Sequence, residues 1–121
     1  HGSTFGGNAL TTSAGAAAAE FMVKNNIPNM ALESGKYMFE KLSELMKKFN
    51  FITEVRGMGL LIGLEMNKDL SGEIVGKALE KGLLINAVRP NMIRFMPPLN
   101  VSKDEIDQAV KVIDEILEES K

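Results

Sequence analysis

Cysteine and tryptophan are absent from this 121-residue chain, and histidine and tyrosine occur once each. Without cysteine there is no disulfide, no thiolate metal site and no thiol nucleophile, a composition that suits a reducing compartment and makes the cytoplasm the default expectation. No apolar run approaches the roughly eighteen residues that a membrane-spanning helix needs. The polar, glycine-rich start is also unlike a secretory signal. Basic residues are not massed on any segment. Fourteen Lys and Arg are dispersed among sixteen Asp and Glu for a net charge of −2, which leaves no phosphate-backbone footprint. Nucleic acid and membrane are therefore not expected partners.

What is present is ordinary for a globular domain: 45% apolar and 25% charged residues. At this length one hydrophobic core is expected, burying about two-thirds of the surface of the unfolded chain. The first residues read as the middle of a loop leading into a helix, and no initiator Met precedes His1, so a fragment or a processed product is the simplest expectation.

Asn8 is placed to cap a helix that runs to about Asn25 through Ala14 and the Ala16 to Ala19 stretch. Few large apolar residues lie along it, so it is expected to stand somewhat apart from the rest. After Pro28, Met38, Leu42, Leu45 and Phe49 recur on one helical face over about 30–49. Phe51 to Val55 and Leu60 to Met66 read as strands joined at Gly57 and Gly59, and a short helix over 73–81 turns Ile74, Val75, Ala78 and Leu79 inward before Gly82 ends it. Leu83 to Val88 and Met92 to Met96 are strands around a turn at Arg89, Pro90 and Asn91, and Pro97 and Pro98 stop the second. Ser102 and Glu105 form a capping box that opens a helix with Ile106, Ala109, Val110, Ile113 and Leu117 on one side. The order ααββαββα predicts an α+β fold, a small mixed or antiparallel sheet covered by helices.

Two segments could carry chemistry. In Gly2 to Asn8, the hydroxyls of Ser3 and Thr4 and three glycines precede a helix N-terminus, where an anion is favoured. On spacing alone the same segment reads more readily as a plain capped loop, and it lacks a Walker-type lysine. In Met92 to Leu99, Arg94 sits within an apolar strand. It faces either a cleft, where its planar fork would match a carboxylate, or solvent, as simple alternation of Ile93 and Phe95 would have it. Arg56, flanked by glycine, reads as a structural charge. His1, the lone histidine, is poorly held for proton transfer at a terminus. Met38, Met46 and Met66 fall in core-like patterns, where gap filling is their common use.

The segments HGSTFGGN, VRGMGLLIGLEM, KALEKGLLIN and IRFMPPL together resemble the carboxy-terminal part of the class III pyridoxal-phosphate (PLP) aminotransferases, with the acetylornithine branch nearest. One departure is Ala9, where that family usually has a proline pre-organised for the first helical turn. The resemblance implies that residues 1–28 are a Gly-rich loop and linking helix from the large domain, and 29–121 the α+β small domain of a fold-type I PLP enzyme. It implies that Thr4, with Ser3 beside it, contacts the phosphate of PLP held by the other subunit of a homodimer. It further implies that Arg94 binds the carboxylate of amino-acid and keto-acid substrates. The parent would transfer the amino group of N-acetylornithine to 2-oxoglutarate in arginine biosynthesis. No segment matches the family's Schiff-base lysine loop or the acid that pairs with the pyridine nitrogen, so this chain alone is expected to be inactive. Ornithine or 4-aminobutyrate as amino donor, and a non-catalytic α+β interaction module, are the alternatives.

Overall fold

A computed structural model describes residues 2–120, so His1 and Lys121 lie outside it. Helix α1 spans Ala9–Lys24, α2 Ile27–Lys48, β1 Ile52–Met58, β2 Leu61–Met66, α3 Ser71–Glu80, β3 Asn86–Arg89, β4 Met92–Phe95 and α4 Lys103–Glu119. The four strands form one sheet in the order β1-β2-β4-β3, and every neighbouring pair is antiparallel. The expected α+β class is observed, and of the two sheet types left open, the antiparallel one.

The helix ends follow their residues. Asn8 accepts a hydrogen bond from the Thr11 backbone N–H at 3.0 Å and so satisfies one free donor of α1. In α4 the Ser102 hydroxyl accepts from the Glu105 N–H while the Glu105 carboxylate accepts from the Ser102 N–H, which is the capping box the sequence predicts. Gly82, at φ 79°, closes α3: its N–H donates to the Leu79 carbonyl, and that of Leu83 to the Ala78 carbonyl. This paired arrangement needs a left-handed residue that glycine adopts without strain. Helix α2 starts earlier than its apolar stripe indicates. Pro28 stands in its first turn, where a missing N–H costs nothing, instead of preceding the helix.

Helix α2 lies against β1 and β2, α3 against β3 and β4, and α4 packs on both helices. Their facing residues join one core in which Met38, Leu42, Ile62, Leu64, Ile74, Ile93, Ile106 and Ile113 are buried. Leu79 is an exception to the inward face expected of α3: it is exposed, because Ile74 and Ala78, four residues apart, already form the buried stripe with Ser71. The predicted strand from Leu83 is also shorter, beginning at Asn86, since Leu83 is held by the end of α3.

Glycine permits one close approach. A Cβ on Gly35 of α2 would stand 2.2 Å from the Gly59 carbonyl oxygen, so the helix rests directly on the β1–β2 turn. Helix α1, by contrast, contributes no buried residue and touches only α2 among the other elements. Asn26, left-handed at φ 48°, redirects the chain between these two helices.

Candidate functional site

Val55, Ile62, Leu64, Ile93 and Phe95 join the helices in one core, so alternation along the strands divides their residues between that covered face and an open one. In β4, Ile93 and Phe95 are buried and Arg94, between them, points to the open face. Strand register then brings residues distant in sequence together. One line across the sheet runs Arg56, Gly63, Arg94, Asn86, each directly opposite the next; the adjacent line runs Glu54, Glu65, Met92, Arg89.

The two arginines of the first line are held differently. Arg56 forms ion pairs with Glu54 and Glu65, and its Nη2 donates to the Met92 sulfur at 3.5 Å. Hydrogen bonding to Glu65, and then to Glu54, raises the pKa of Arg56 further. Reciprocally, the Arg56 guanidinium holds the Glu65 carboxyl below its ordinary value, with smaller contributions from Asn91 and Arg89. Arg56 is thus a charge consumed in holding β1 to β2, as the sequence suggests. Arg94 has no acidic partner among the described residues. Its Nε donates to Oδ1 of Asn86 at 3.2 Å, and that amide is neutral. The other four of the five N–H donors of its guanidinium, including the terminal fork whose geometry suits a carboxylate, bond to no described residue.

The frame around Arg94 is well tied. The β3–β4 turn is Pro90-Asn91, and the Asn91 side chain donates to the Met66 carbonyl at 2.9 Å while the Met66 N–H donates to the Asn91 carbonyl at 2.8 Å. Buried Ser71, at the first turn of α3, donates its hydroxyl to the Arg89 carbonyl at 2.7 Å. A Cβ on Gly63 would stand 2.3 Å from the Met92 terminal methyl, so the absence of a side chain between Arg56 and Arg94 is what lets Met92 lie there.

The Gly2 to Asn8 segment is a separate, fully exposed feature at the start of α1. The Ser3 hydroxyl oxygen accepts from the Gly6 N–H at 3.1 Å and the Asn8 amide donates to the Phe5 carbonyl at 2.6 Å, so the loop is folded on itself. Thr11 and Thr12 turn their hydroxyls back onto the Asn8 carbonyl. The hydroxyl of Thr4 bonds to no described residue. Because α1 touches neither β4 nor its strand neighbours, the structure does not bring Ser3 and Thr4 together with Arg94.

The sequence pointed to Arg94 but not to Asn86, Gly63 or Met92. Their link to it is register, and no local motif carries that. The only usable signal was the position of Asn86 in one strand candidate of a hairpin whose other strand held Arg94.

Known proteins are similar to this chain in sequence and in fold. The family model described as aminotransferase class-III matches residues 1–117. The chain is similar to an acetylornithine aminotransferase of Caldanaerobacter subterraneus subsp. tengcongensis, 46% identical over 98% of this chain and 30% of that protein. It is also similar to an ornithine aminotransferase of Oceanobacillus iheyensis, 44% identical over 97% of this chain and 29% of that protein. Among solved structures, the acetylornithine aminotransferase of Elizabethkingia anophelis superposes with a TM-score of 0.88 at 31% identity, over 98% of this chain and 32% of that one. The chain thus spans about 30% of the length of the curated relatives it matches.

Proposed function

The chain belongs to the class III aminotransferase family, and on that premise we propose that it is the carboxy-terminal part of a PLP-dependent transaminase that moves the amino group of N-acetylornithine to 2-oxoglutarate in arginine biosynthesis. The observation that carries the substrate class is Arg94. Of the two arginines in one line across the open face, Arg56 is consumed by Glu54 and Glu65, and Arg94 keeps its fork beside a neutral amide. 2-Oxoglutarate and the glutamate formed from it both carry a carboxylate beside the reacting carbon, and one planar fork binds the two in turn. The acetylornithine choice rests on the names of the relatives; ornithine as donor is a second reading, favoured by the relative of that name at 44% identity.

In this reading residues up to Pro28 belong to the large domain, and the packed unit from Asn29 onward is the small domain, in keeping with the absence of any buried residue from α1. Thr4 contacts the phosphate of PLP held by the partner subunit of a homodimer, with Ser3 beside it. The donor chemistry suits that group: the Ser3 oxygen accepts from Gly6 and so keeps its own proton free to donate, and Thr4 is exposed. When bound, PLP would supply the electron sink for bond breaking at the substrate carbon that bears the transferred amino group. What this chain contributes is attachment and orientation, Thr4 and Ser3 at the phosphate and Arg94 at the carboxylate, in an enzyme that we place in the cytoplasm.

Positioning without the lysine anchor gives no turnover, so the 121-residue chain with added PLP is expected to be inactive. Measurable transamination by the purified chain would overturn this. For the full-length protein, N-acetylornithine is expected to shift the absorbance of bound PLP. No shift with N-acetylornithine but a clear one with ornithine would transfer the assignment to the second reading.

A further inference from the structure

We propose that Asn86 is a positioning residue for the carboxylate site, its side-chain oxygen fixing the Nε edge of Arg94 so that the two terminal nitrogens are presented as a fork. The inference rests on the reading of Arg94 as the substrate arginine. Asn86 stands directly opposite Arg94 in the β3–β4 ladder, and its Oδ1 accepts from Nε at 3.2 Å. On the other flank of Arg94 is Gly63, which has no side chain to offer. Asn86 is therefore the one side chain among the described residues that hydrogen-bonds the guanidinium.

Its chemistry suits the task. A guanidinium on a long side chain rotates about four bonds, and rotamer freedom lost on binding lowers affinity. An acceptor on Nε removes part of that freedom beforehand. It engages the edge that a bidentate carboxylate on the terminal nitrogens does not need. Because the acceptor is an amide, the positive charge stays uncompensated. The neighbouring line shows the contrary case: carboxylates at Glu54 and Glu65 pair with Arg56 and spend its charge within the sheet. Residue 86 thus sets whether Arg94 is an oriented cation for substrate or a second internal ion pair. All of β3 is exposed, so Asn86 is placed by strand pairing and has no core-packing role.

The test uses the full-length, PLP-loaded protein and steady-state kinetics in both substrates. With Asn86→Ala, KM for the keto acid is expected to rise by about fivefold, the scale of one hydrogen bond, with kcat within about twofold. Asn86→Asp keeps the acceptor but adds a charge, and is expected to raise the keto-acid KM more than Asn86→Ala does. In an Arg94→Leu background, Asn86→Ala should change kcat/KM no further, since there is no guanidinium left to orient. Unchanged KM in Asn86→Ala, or the same factor in both backgrounds, would overturn the role of Asn86. If Arg94→Leu itself leaves the keto-acid KM unchanged, the reading of Arg94 falls first and that of Asn86 with it. A melting temperature of Asn86→Ala equal to wild type separates these effects from misfolding.

Discussion

The two faces of the sheet differ more than any two elements of the molecule. On the covered face Leu64 and Ile93 have no exposed surface and Phe95 only 2%, and all three belong to the core that the sheet shares with α2, α3 and α4. On the open face, one residue along the same strands, lie Arg56, Glu65, Met92, Arg94 and Asn86, joined by directional contacts. One strand therefore serves stability and recognition at once, with a spacing of one residue separating them. Substitutions on the first face should cost folding energy, and those on the second should cost affinity.

Leu64→Ala is the most severe test of that division. It removes fully buried volume from the centre of the core and should lower unfolding free energy by about 2–5 kcal/mol in chemical denaturation. A loss no larger than that of an open-face substitution would erase the distinction. Gly35→Ala comes next, because its Cβ would sit 2.2 Å from the Gly59 carbonyl and α2 would have to lift off the turn. A loss of about 1–3 kcal/mol is expected, as for other overpacked sites. Arg94→Lys should do the reverse. It keeps the charge and loses the fork, and should raise KM for the keto acid by about tenfold in the full-length protein while leaving the melting temperature in place.

Acid sharpens the contrast more gently. Glu65 is held below its ordinary value of 4.5, chiefly by its hydrogen bond to Arg56. A carboxylate with a lower pKa folded than unfolded stabilises the fold above the unfolded value, and that contribution is lost as pH falls through the folded one. Wild type should therefore lose stability more steeply below about pH 4.5 than Glu65→Gln does, measured by urea titration at several pH values. The smallest effect is expected off the sheet altogether. Val23, 82% exposed on α1, should tolerate Val23→Ser with a change within about 0.5 kcal/mol, because no core contact is removed.

Much of this was legible in the residues. The stripe Met38, Leu42, Leu45, Phe49 is buried as its spacing predicts, and Met38 and Met66 fill the core. The Ser102–Glu105 box, the Asn8 cap and the Gly82 terminator are where local chemistry places them. Leu79 misled because helical periodicity bounds an apolar face only to within one residue, and nothing local says where the partner's surface ends. Leu83 misled because a helix terminator and a strand start compete for the same residue, and the hydrogen bond to Ala78 wins. For the site, strand alternation around Arg94 left solvent and cleft equally open, and only the contrast with Arg56 distinguishes the two arginines.

By itself the sequence determined what local interactions decide: element order, caps, turns, the apolar faces, and the motifs that placed the chain in its family. These depend on residues within a turn or two of one another, so a linear reading captures them. Tertiary structure decided the strand order β1-β2-β4-β3, the close seat of α2 on Gly59, and the line that joins Arg56, Gly63, Arg94 and Asn86. Cross-strand register is set by how the whole covered face packs against its helices. For that reason the neighbour that holds Arg94 could not be read from the residues beside it in the chain.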